Sequence, residues 1–256
     1  MGETVKIDIY SIMRNEEIIL PYFLRHYGSF ADRIFVFEDE STDRTHEILA
    51  AHPKVTLLPV EKHGIDHVYW NTQLWTRYEQ LSRGVADWVM CVEADEFVYH
   101  PKLLEVLRKE MALGTQLINC TGLTMVSDSL PTTDGQIYDE ITKGLRDHWS
   151  SKWVVFSPDI HVVFHIGRHP KQGLPVAELT EGAVMRKHTG IKLLHYRYLG
   201  PQYYIDRCKS NVDRHWAAGK PAAKFNEKSR YNMPDYSSDY PIPWFERHKG
   251  EAVECI

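Results

Sequence analysis

The sequence predicts an α/β fold with a mostly parallel central sheet flanked by helices. Short apolar segments near 5–12, 33–37, 55–60 and 88–92 have the length and composition of buried strands. Segments with apolar residues at helical spacing lie between them, and this alternation favours parallel pairing through right-handed crossovers. Beyond residue 100 the alternation ends, so we expect a mixed, partly antiparallel second half.

Each early strand leads into a predicted helix. The first helix carries apolar residues at helical spacing up to Tyr27, and Pro21 is tolerated in its first turns. The second helix covers 45–51, where Ser41 or Thr42 supplies a cap oxygen. Further along, we expect helices over 68–83, 102–112 and about 201–217, and strands near 116–120, 152–157, 160–166 and 193–196.

The last forty residues differ from the rest of the chain. Residues 1–218 are expected to form one domain, and 219–256 an extended arm. The arm is too rich in proline for a helix, and the pair Trp244-Phe245 is too apolar for a free tail. We therefore expect it to dock on the domain or on a second copy of the chain, giving a homodimer.

Composition excludes several classes of protein. The net charge of −5 offers no basic surface for nucleic acid. No apolar run approaches the roughly 20 residues that span a bilayer, and the N-terminus lacks the pattern of a secretion signal. We expect a cytoplasmic protein, which leaves room for peripheral contact with a membrane. Four scattered cysteines are expected to be reduced, packed thiols.

The most informative segment is Glu93-Ala94-Asp95-Glu96, directly after the strand at 88–92. Carboxylates crowded at the end of a buried strand repel one another, and a hard divalent cation relieves that repulsion. In an extended segment Glu93 and Asp95 point to one side, and Glu96 points away. A solvated acidic turn is the alternative interpretation.

Polar residues also follow the first two strands, at Asn15-Glu16 and at Glu38-Asp39. In parallel sheets ligands bind beyond the carboxyl ends of the strands. We therefore expect these two segments and the acidic segment to meet at one edge of the sheet.

Five segments together resemble family-2-like glycosyltransferases of the GT-A fold. The branch in question is written R-N-E, then L-P-Y-F-L-x-H-Y, and D-A-D-E-F after the fourth strand. The resemblance extends over about residues 5–210 and is most specific in the first hundred. The segments are Arg14-Asn15-Glu16, Leu20-Pro21-Tyr22-Phe23-Leu24-Arg25-His26-Tyr27, Ser41-Thr42-Asp43-Arg44-Thr45, Glu93-Ala94-Asp95-Glu96-Phe97 and His195-Tyr196.

The resemblance implies a sugar transfer from a nucleotide-sugar donor to a hydroxyl of a glycan or other acceptor, generally with inversion, in cell-surface glycan or polysaccharide synthesis. It implies that 1–100 bind the nucleotide and that 101–218 complete the metal and acceptor sites. Mn²⁺ or Mg²⁺ is expected on Asp95, with help from Glu93 and His195. The residues expected to contact the donor are Arg14, Asn15, Glu16, Asp39, Glu93 and Arg197, with Arg207 and Lys209 as further cations.

Two positions depart from the family pattern. Glu93 replaces the first aspartate of D-x-D, and its longer side chain suits a sugar or ribose hydroxyl or a metal-bound water. Glu40 stands where many relatives have glycine. For the catalytic base we favour Glu181, with Glu178 beside it. Asp139 and Glu140 are the alternatives.

Several of these residues have structural alternatives. Asn15, Glu16 and Asp39 could cap or begin helices, and Arg14 could pair with Glu38. His195 could be a buried structural histidine. The four-residue spacing of His161, His165 and His169 resembles a series of metal ligands, but it is interpreted as coincidence because the segment is strand-like. His165 alone could face the donor cleft. A core position is expected, before any role in stacking on a sugar, for Tyr69, Trp70, Trp75 and Tyr78.

Two other functions compete with glycosyl transfer. A nucleotidyltransferase of related fold would normally carry a glycine-rich basic loop after the first strand, and Ser11-Ile12-Met13-Arg14 has no glycine. A non-catalytic module that binds a nucleotide sugar is the other alternative. Metal-dependent turnover of the donor separates these possibilities.

Overall fold

The computed structural model describes residues 4–60, 76–146, 151–162, 183–207 and 248–256. The strands are β1 (Ile7–Met13), β2 (Arg33–Glu38), β3 (Val55–Leu58), β4 (Trp88–Cys91), β5 (Glu96–Tyr99), β6 (Leu117–Ser127), β7 (Lys143–Arg146), β8 (Lys152–Phe156), β9 (Met185–Arg186), β10 (Lys192–Leu199) and β11 (Val253–Glu254). The helices are α1 (Leu20–Gly28), α2 (Thr45–Ala50), α3 (Tyr78–Leu81) and α4 (Leu103–Ala112). Residues 201–207 are also helical.

The chain divides into two compact units. The first comprises the described parts of Met1–Leu123 and Asp147–His195, and the second those of Thr124–Arg146 and Tyr196–Ile256. Strands β6 and β10 each contribute residues to both units. The expected boundary between residues 218 and 219 stays a prediction because 208–247 lie outside the described residues.

The sheet of the first unit has the strand order β6-β8-β4-β1-β2-β3. Strands β4, β1, β2 and β3 are parallel, whereas β8 runs antiparallel to β4 and to β6. Strand β9 pairs in parallel with β6, and β10 pairs antiparallel with β5. This architecture confirms the predicted α/β fold, with its parallel centre and its mixed second half.

Burial on both faces explains why the central strands are almost wholly apolar. Every residue of β4 is buried, and only Ile12 of β1 is partly exposed. One cluster of the core packs aromatic rings of β1, β2 and β8 together, with Tyr10 stacked on Phe35 at 4.9 Å between ring centroids. Tyr78 is fully buried beside Phe156, as the core interpretation of this residue predicted.

Helix α1 is anchored to strand β5 through two side chains of its last turn. The Tyr27 hydroxyl donates to the carbonyl of Glu96 at 2.8 Å and accepts from the N–H of Val98 at 3.0 Å. A ring nitrogen of His26 lies 3.1 Å from the carbonyl of Val98. The His-Tyr pair that ends the second motif therefore holds the strand that follows the acidic segment.

The buried imidazole of His26 should make the protein less stable in mild acid. Burial lowers the pKa of His26 from its ordinary 6.5 to about 4. Between these two values the unfolded chain binds a proton that the folded chain rejects, so stability falls as the pH falls through this window. We expect a loss of up to about 1.4 kcal/mol per pH unit from this residue.

Urea unfolding at pH 7.5, 6.5, 5.5 and 4.5 measures this effect. His26→Gln should be less stable than the natural chain at pH 7.5 but should show a shallower pH dependence. The exposed His46→Gln should keep the natural dependence. Equal slopes for the natural chain and His26→Gln would contradict the assignment.

A buried polar network joins the amino ends of β1 and β2 to the end of α3. Asp8 on β1 accepts from Nε of Arg33 at 2.9 Å and from Nη2 at 2.5 Å. The Ser82 hydroxyl donates to the same carboxylate at 2.5 Å and lies 2.7 Å from the hydroxyl of Tyr10. This network lies at the edge of the sheet opposite the predicted ligand edge and ties a helix to two parallel strands.

The structure corrects several local expectations. Ser41 and Thr42 do not cap α2: the carboxylate of Asp43 accepts from the N–H of Thr45 at 2.9 Å. Helix α1 begins at Leu20, so Asn15 and Glu16 do not cap or begin it, contrary to the structural alternative given for them. Residues 160–162 are not a strand, and 163–166 lie outside the described residues. So does the first half, 68–75, of the helix expected over 68–83; within the second half Tyr78–Leu81 are helical.

The second unit contains the distal part of β6, strand β7 and the carboxyl-terminal strand β11, which runs antiparallel to β7. Cys255 is buried against Gly144, where an added Cβ would come within 2.9 Å of a methionine sulphur. Cys91, Cys120 and Cys255 are all buried free thiols, as predicted, and Cys208 lies outside the described residues. Among the described residues, no helix is long and apolar enough to cross a membrane.

Candidate functional site

The loops that follow β1 and β2 are joined by hydrogen bonds. Asn15 has a positive φ of 53°, a conformation that asparagine tolerates better than most residues. Its N–H donates to the Ser41 hydroxyl at 3.1 Å, and its side-chain oxygen accepts from the N–H of Thr42 at 2.7 Å. Ser41 and Thr42, which sequence analysis assigned to a helix cap, instead fix the position of the neighbouring loop.

The next two residues continue this connection. The N–H of Glu16 donates to the Thr45 hydroxyl at 2.8 Å, and the N–H of Glu17 donates to the Asp43 carboxylate at 3.1 Å. Two of the five segments that carry the resemblance, residues 14–16 and 41–45, therefore form one hydrogen-bonded rim at the carboxyl ends of β1 and β2. Contacts of Asn15 and Glu16 with a nucleotide stay predictions.

Asp39 and Arg14 lie on the same rim. Asp39 is buried, and its N–H donates to the carbonyl of Met13 at 2.9 Å. Nη1 of Arg14 donates to the carbonyl of Asp39 at 3.1 Å, which orients the guanidinium across the rim. The Glu38 carboxylate, considered above as a partner for Arg14, accepts from the N–H of Ser41 at 2.6 Å.

The acidic segment is a tight turn between β4 and β5. The N–H of Glu96 donates to the carbonyl of Glu93 at 3.1 Å, and the N–H of Glu93 donates to the Glu96 carboxylate at 3.1 Å. Because residues 94 and 95 form a turn rather than an extended strand, strand alternation does not apply to the segment. Glu93 is exposed, whereas Asp95 and Glu96 are buried.

The carboxylate of Glu96 folds back into this turn, contrary to the expectation that its side chain points away from Glu93 and Asp95. Its second oxygen lies 2.5 Å from Nζ of Lys152 on β8. Burial opposes the charge of Lys152, but the carboxylates of Glu96, Glu93 and Asp95 outweigh it and raise the pKa of the ammonium group. Lys152 is therefore a permanent cation among these carboxylates.

Asp95 and His195 lie side by side. His195 is opposite Glu96 in the β5–β10 pairing, and its Nε2 lies 3.3 Å from Oδ2 of Asp95. Asp95 is only 1% exposed, so it does not belong to a solvated turn, which was the alternative interpretation of this segment. Both residues are buried at the end of the sheet where the acidic turn emerges.

One group of metal-ligating side chains lies among the described residues. Ligand atoms of Glu93, Glu96 and His195 all lie within 4.8 Å of one another. Two carboxylates and an imidazole are a donor set that suits Mn²⁺ and, with water, Mg²⁺. The residues present therefore fit a divalent cation, with Asp95 directly beside the imidazole.

Comparison with known proteins finds similarity that is either confined to a short segment or low in sequence identity. No family model matches the chain. The uncharacterized proteins Rv3786c of Mycobacterium tuberculosis and Mb3815c of Mycobacterium bovis are each 38% identical to it over 73 residues. That segment is 27% of this chain and spans only 18% of the length of each relative.

Solved structures of TarS from S. aureus are similar in chain path. TarS 1–349 in complex with UDP is 11% identical, with a TM-score of 0.47 over 86% of this chain and 68% of that one. TarS 1–349 alone is 12% identical, with a TM-score of 0.42 over 81% and 64%. These values are too low for the likeness to say more about this chain.

The other predicted site residues have varied positions. Glu178 and Glu181, proposed as the catalytic base, lie outside the described residues, as do His165, His169, Lys209, Tyr69, Trp70 and Trp75. The alternatives for the base hold local turns: Asp139 accepts from the N–H of Gln136 at 2.8 Å, and Glu140 accepts from the N–H groups of Thr132 and Thr133, each at 2.8 Å.

Three further predicted residues make their own contacts. Arg197 and Arg207 belong to the second unit, where their guanidinium groups lie over the rings of Tyr204 and Tyr203 at 6.0 and 5.7 Å. His161 pairs with Glu79 at 2.6 Å. A phosphate-binding role for Arg197 therefore stays a prediction.

Lys152 was not among the predicted site residues, and the predicted orientation of the Glu96 side chain was wrong. A single lysine at the start of the apolar strand Trp153-Val154-Val155-Phe156 was the available signal, since a partly buried ammonium group is stabilised by an acidic partner. The partner itself could not be identified, because β8 and the acidic turn are more than fifty residues apart in sequence.

Proposed function

We propose that this chain is a metal-dependent glycosyltransferase that moves a sugar from a nucleotide-sugar donor to a hydroxyl group of a glycan or other acceptor. The observation that carries the proposal is that ligand atoms of Glu93 and His195 lie within 4.8 Å of each other, with Asp95 3.3 Å from Nε2 of His195. These residues lie where β4 ends, and the neighbouring parallel strands β1 and β2 end at the same edge. That edge is where parallel sheets bind their ligands.

The rim formed by the loops after β1 and β2 is proposed to bind the nucleotide. Asp39 offers a carboxylate to a ribose or base donor, and Arg14, held by the Asp39 carbonyl, offers a cation to phosphate oxygens. Asn15 and Glu16 keep the rim in place through their hydrogen bonds to Ser41 and Thr45. Such prior ordering lowers the conformational entropy that the rim would lose when a donor binds.

Asp95, Glu93 and His195 are proposed to hold Mn²⁺ or Mg²⁺ beside the donor diphosphate. When bound, such an ion stabilises the charge on a departing phosphate. Asp95, 3.3 Å from Nε2 of His195, fixes the orientation of the imidazole. The exposed carboxylate of Glu93 would contact a metal-bound water or a sugar hydroxyl.

The acceptor side is a proposal from sequence alone. Glu181, or else Glu178, would deprotonate the acceptor hydroxyl in an inverting transfer. Arg197 would neutralise the departing diphosphate. We also propose a cytoplasmic location, a role in cell-surface glycan or polysaccharide synthesis, and a homodimer completed by the arm at 219–256.

A binding screen followed by a turnover assay tests the proposal. Thermal unfolding with UDP, GDP, CDP, ADP and dTDP, each with Mn²⁺ or with EDTA, should reveal one nucleotide that raises the Tm only with the metal. The matching nucleotide sugars should then release nucleoside diphosphate. In Glu93→Gln the metal-dependent affinity for the nucleotide and the rate of nucleoside diphosphate release should each fall by about tenfold or more. Glu105→Gln, which changes an exposed carboxylate on α4, should behave as the natural chain does.

The outcomes separate the competing functions. Release of pyrophosphate from a nucleoside triphosphate would show a nucleotidyltransferase instead. Metal-dependent binding without turnover of any donor would show a non-catalytic module. No metal-dependent stabilisation by any nucleotide would refute the proposed site.

A further inference from the structure

Lys152 places a positive charge inside the acidic turn. Its Nζ lies 2.5 Å from Oε1 of Glu96, and the Glu96 side chain is only 1% exposed. The other oxygen of Glu96 accepts from the N–H of Glu93 at 3.1 Å. Both oxygens of Glu96 are thus engaged by the protein itself.

This arrangement changes the charge that the turn presents to an ion. Glu93, Asp95 and Glu96 together carry three negative charges when ionised. The ammonium group of Lys152 cancels one of them, and an imidazole that ligates a metal ion is neutral and adds none. The remaining charge of about −2 is matched by one divalent cation.

The pairing also selects among the possible ligands. A carboxylate that is already paired with an ammonium group gives up that ion pair if it turns to a metal ion. Glu93 is exposed and His195 lies beside Asp95, so these residues can ligate without breaking the Lys152 contact. Glu96 cannot do so.

We infer that Lys152 is a built-in counter-ion that keeps Glu96 out of the ligand set and limits the affinity of the site for its divalent cation. Lys152 is thus a positioning residue that acts through Glu96. A moderate affinity lets the ion bind together with the diphosphate rather than remain fixed on the protein. This inference rests on the metal site of the proposed function.

The affinity for Mn²⁺ alone, measured by isothermal titration calorimetry on the full chain, tests the inference. Lys152→Met removes one positive charge and frees Glu96 to ligate, so we expect the Kd for Mn²⁺ to fall by about tenfold or more. Lys152→Arg keeps the charge and should leave the Kd within about threefold of the natural value. Lys143→Met, at an exposed lysine of β7, is the matched control and should change nothing.

The double variant Glu96→Gln/Lys152→Met provides a second test if Lys152→Met alone fails to fold. It removes the buried pair together and leaves the net charge of the turn unchanged. If Glu96 is not a ligand in the natural protein, the double variant should bind Mn²⁺ with nearly unchanged affinity. If Glu96 is a ligand, binding should weaken strongly.

The results distinguish a failure of this inference from a failure of the proposed site. Mn²⁺ binding by the natural chain with equal or weaker binding by Lys152→Met, or strongly weakened binding by the double variant, overturns the role of Lys152 alone. Tight binding only after Lys152→Met supports that role. No Mn²⁺ binding by any variant overturns the role of Lys152 and the metal site together.

Discussion

Replacing Asp95 with asparagine is expected to lower sugar transfer by about a hundredfold or more. The carboxylate lies 3.3 Å from Nε2 of His195, at the cluster formed by Glu93, Glu96 and His195. Asparagine keeps the shape of the side chain but removes a negative charge from the cation site and from the orientation of the imidazole. Losses of ten- to a hundredfold are typical when even an outer partner of a metal ligand is removed.

Transfer should be measured with saturating donor and Mn²⁺, alongside the Tm of each variant. Asparagine is preferable to alanine because Asp95 is buried, and a cavity would confuse a loss of activity with a loss of fold. Asp159→Asn, an exposed carboxylate of the same unit, should retain full activity. Near-natural turnover by Asp95→Asn would disprove the role assigned to this residue.

Replacing Asp8 with alanine is expected to cause the largest loss of stability. Asp8 is 1% exposed and accepts three hydrogen bonds, two from Arg33 and one from Ser82. Without it the partly buried guanidinium group keeps only the carbonyl of Leu81, and the Ser82 hydroxyl keeps only the hydroxyl of Tyr10. Removal of one member of a buried pair costs about 3–5 kcal/mol, and the partial exposure of Arg33 should bring this to about 3 kcal/mol.

Urea unfolding at neutral pH gives the free energy of unfolding directly. Asp87→Ala is the matched control, because its carboxylate accepts a single hydrogen bond, from the N–H of Lys6 at 2.7 Å, at an exposed position. We expect that control to lose less than about 1 kcal/mol. A loss of similar size in both variants would show that the buried network has no special contribution.

Local sequence patterns were enough to predict the central sheet. Strand β4 and the middle of β2 are continuous apolar segments, and β1 is apolar except for Asp8 and Ser11. Such segments indicate burial on both faces wherever they pack. Their alternation with helices also predicted that Asn15, Asp39 and Asp95 follow parallel strands that end at the same edge of the sheet. Helix caps were predicted less well, because Ser41, Thr42 and Asp43 are all suitable oxygen acceptors and only the path of the neighbouring loop selects between them.

The sequence by itself determined the α/β sheet, the position of the acidic segment after β4 and the presence of His195 on a buried strand. Only the tertiary structure decided how those groups face one another. A tight turn turned Glu96 inward, the antiparallel β5–β10 pairing placed His195 opposite it, and β8 brought Lys152 to its carboxylate. The physical reason is that side-chain alternation depends on local backbone conformation, whereas the charge balance of a buried cluster depends on residues that only the folded chain brings together.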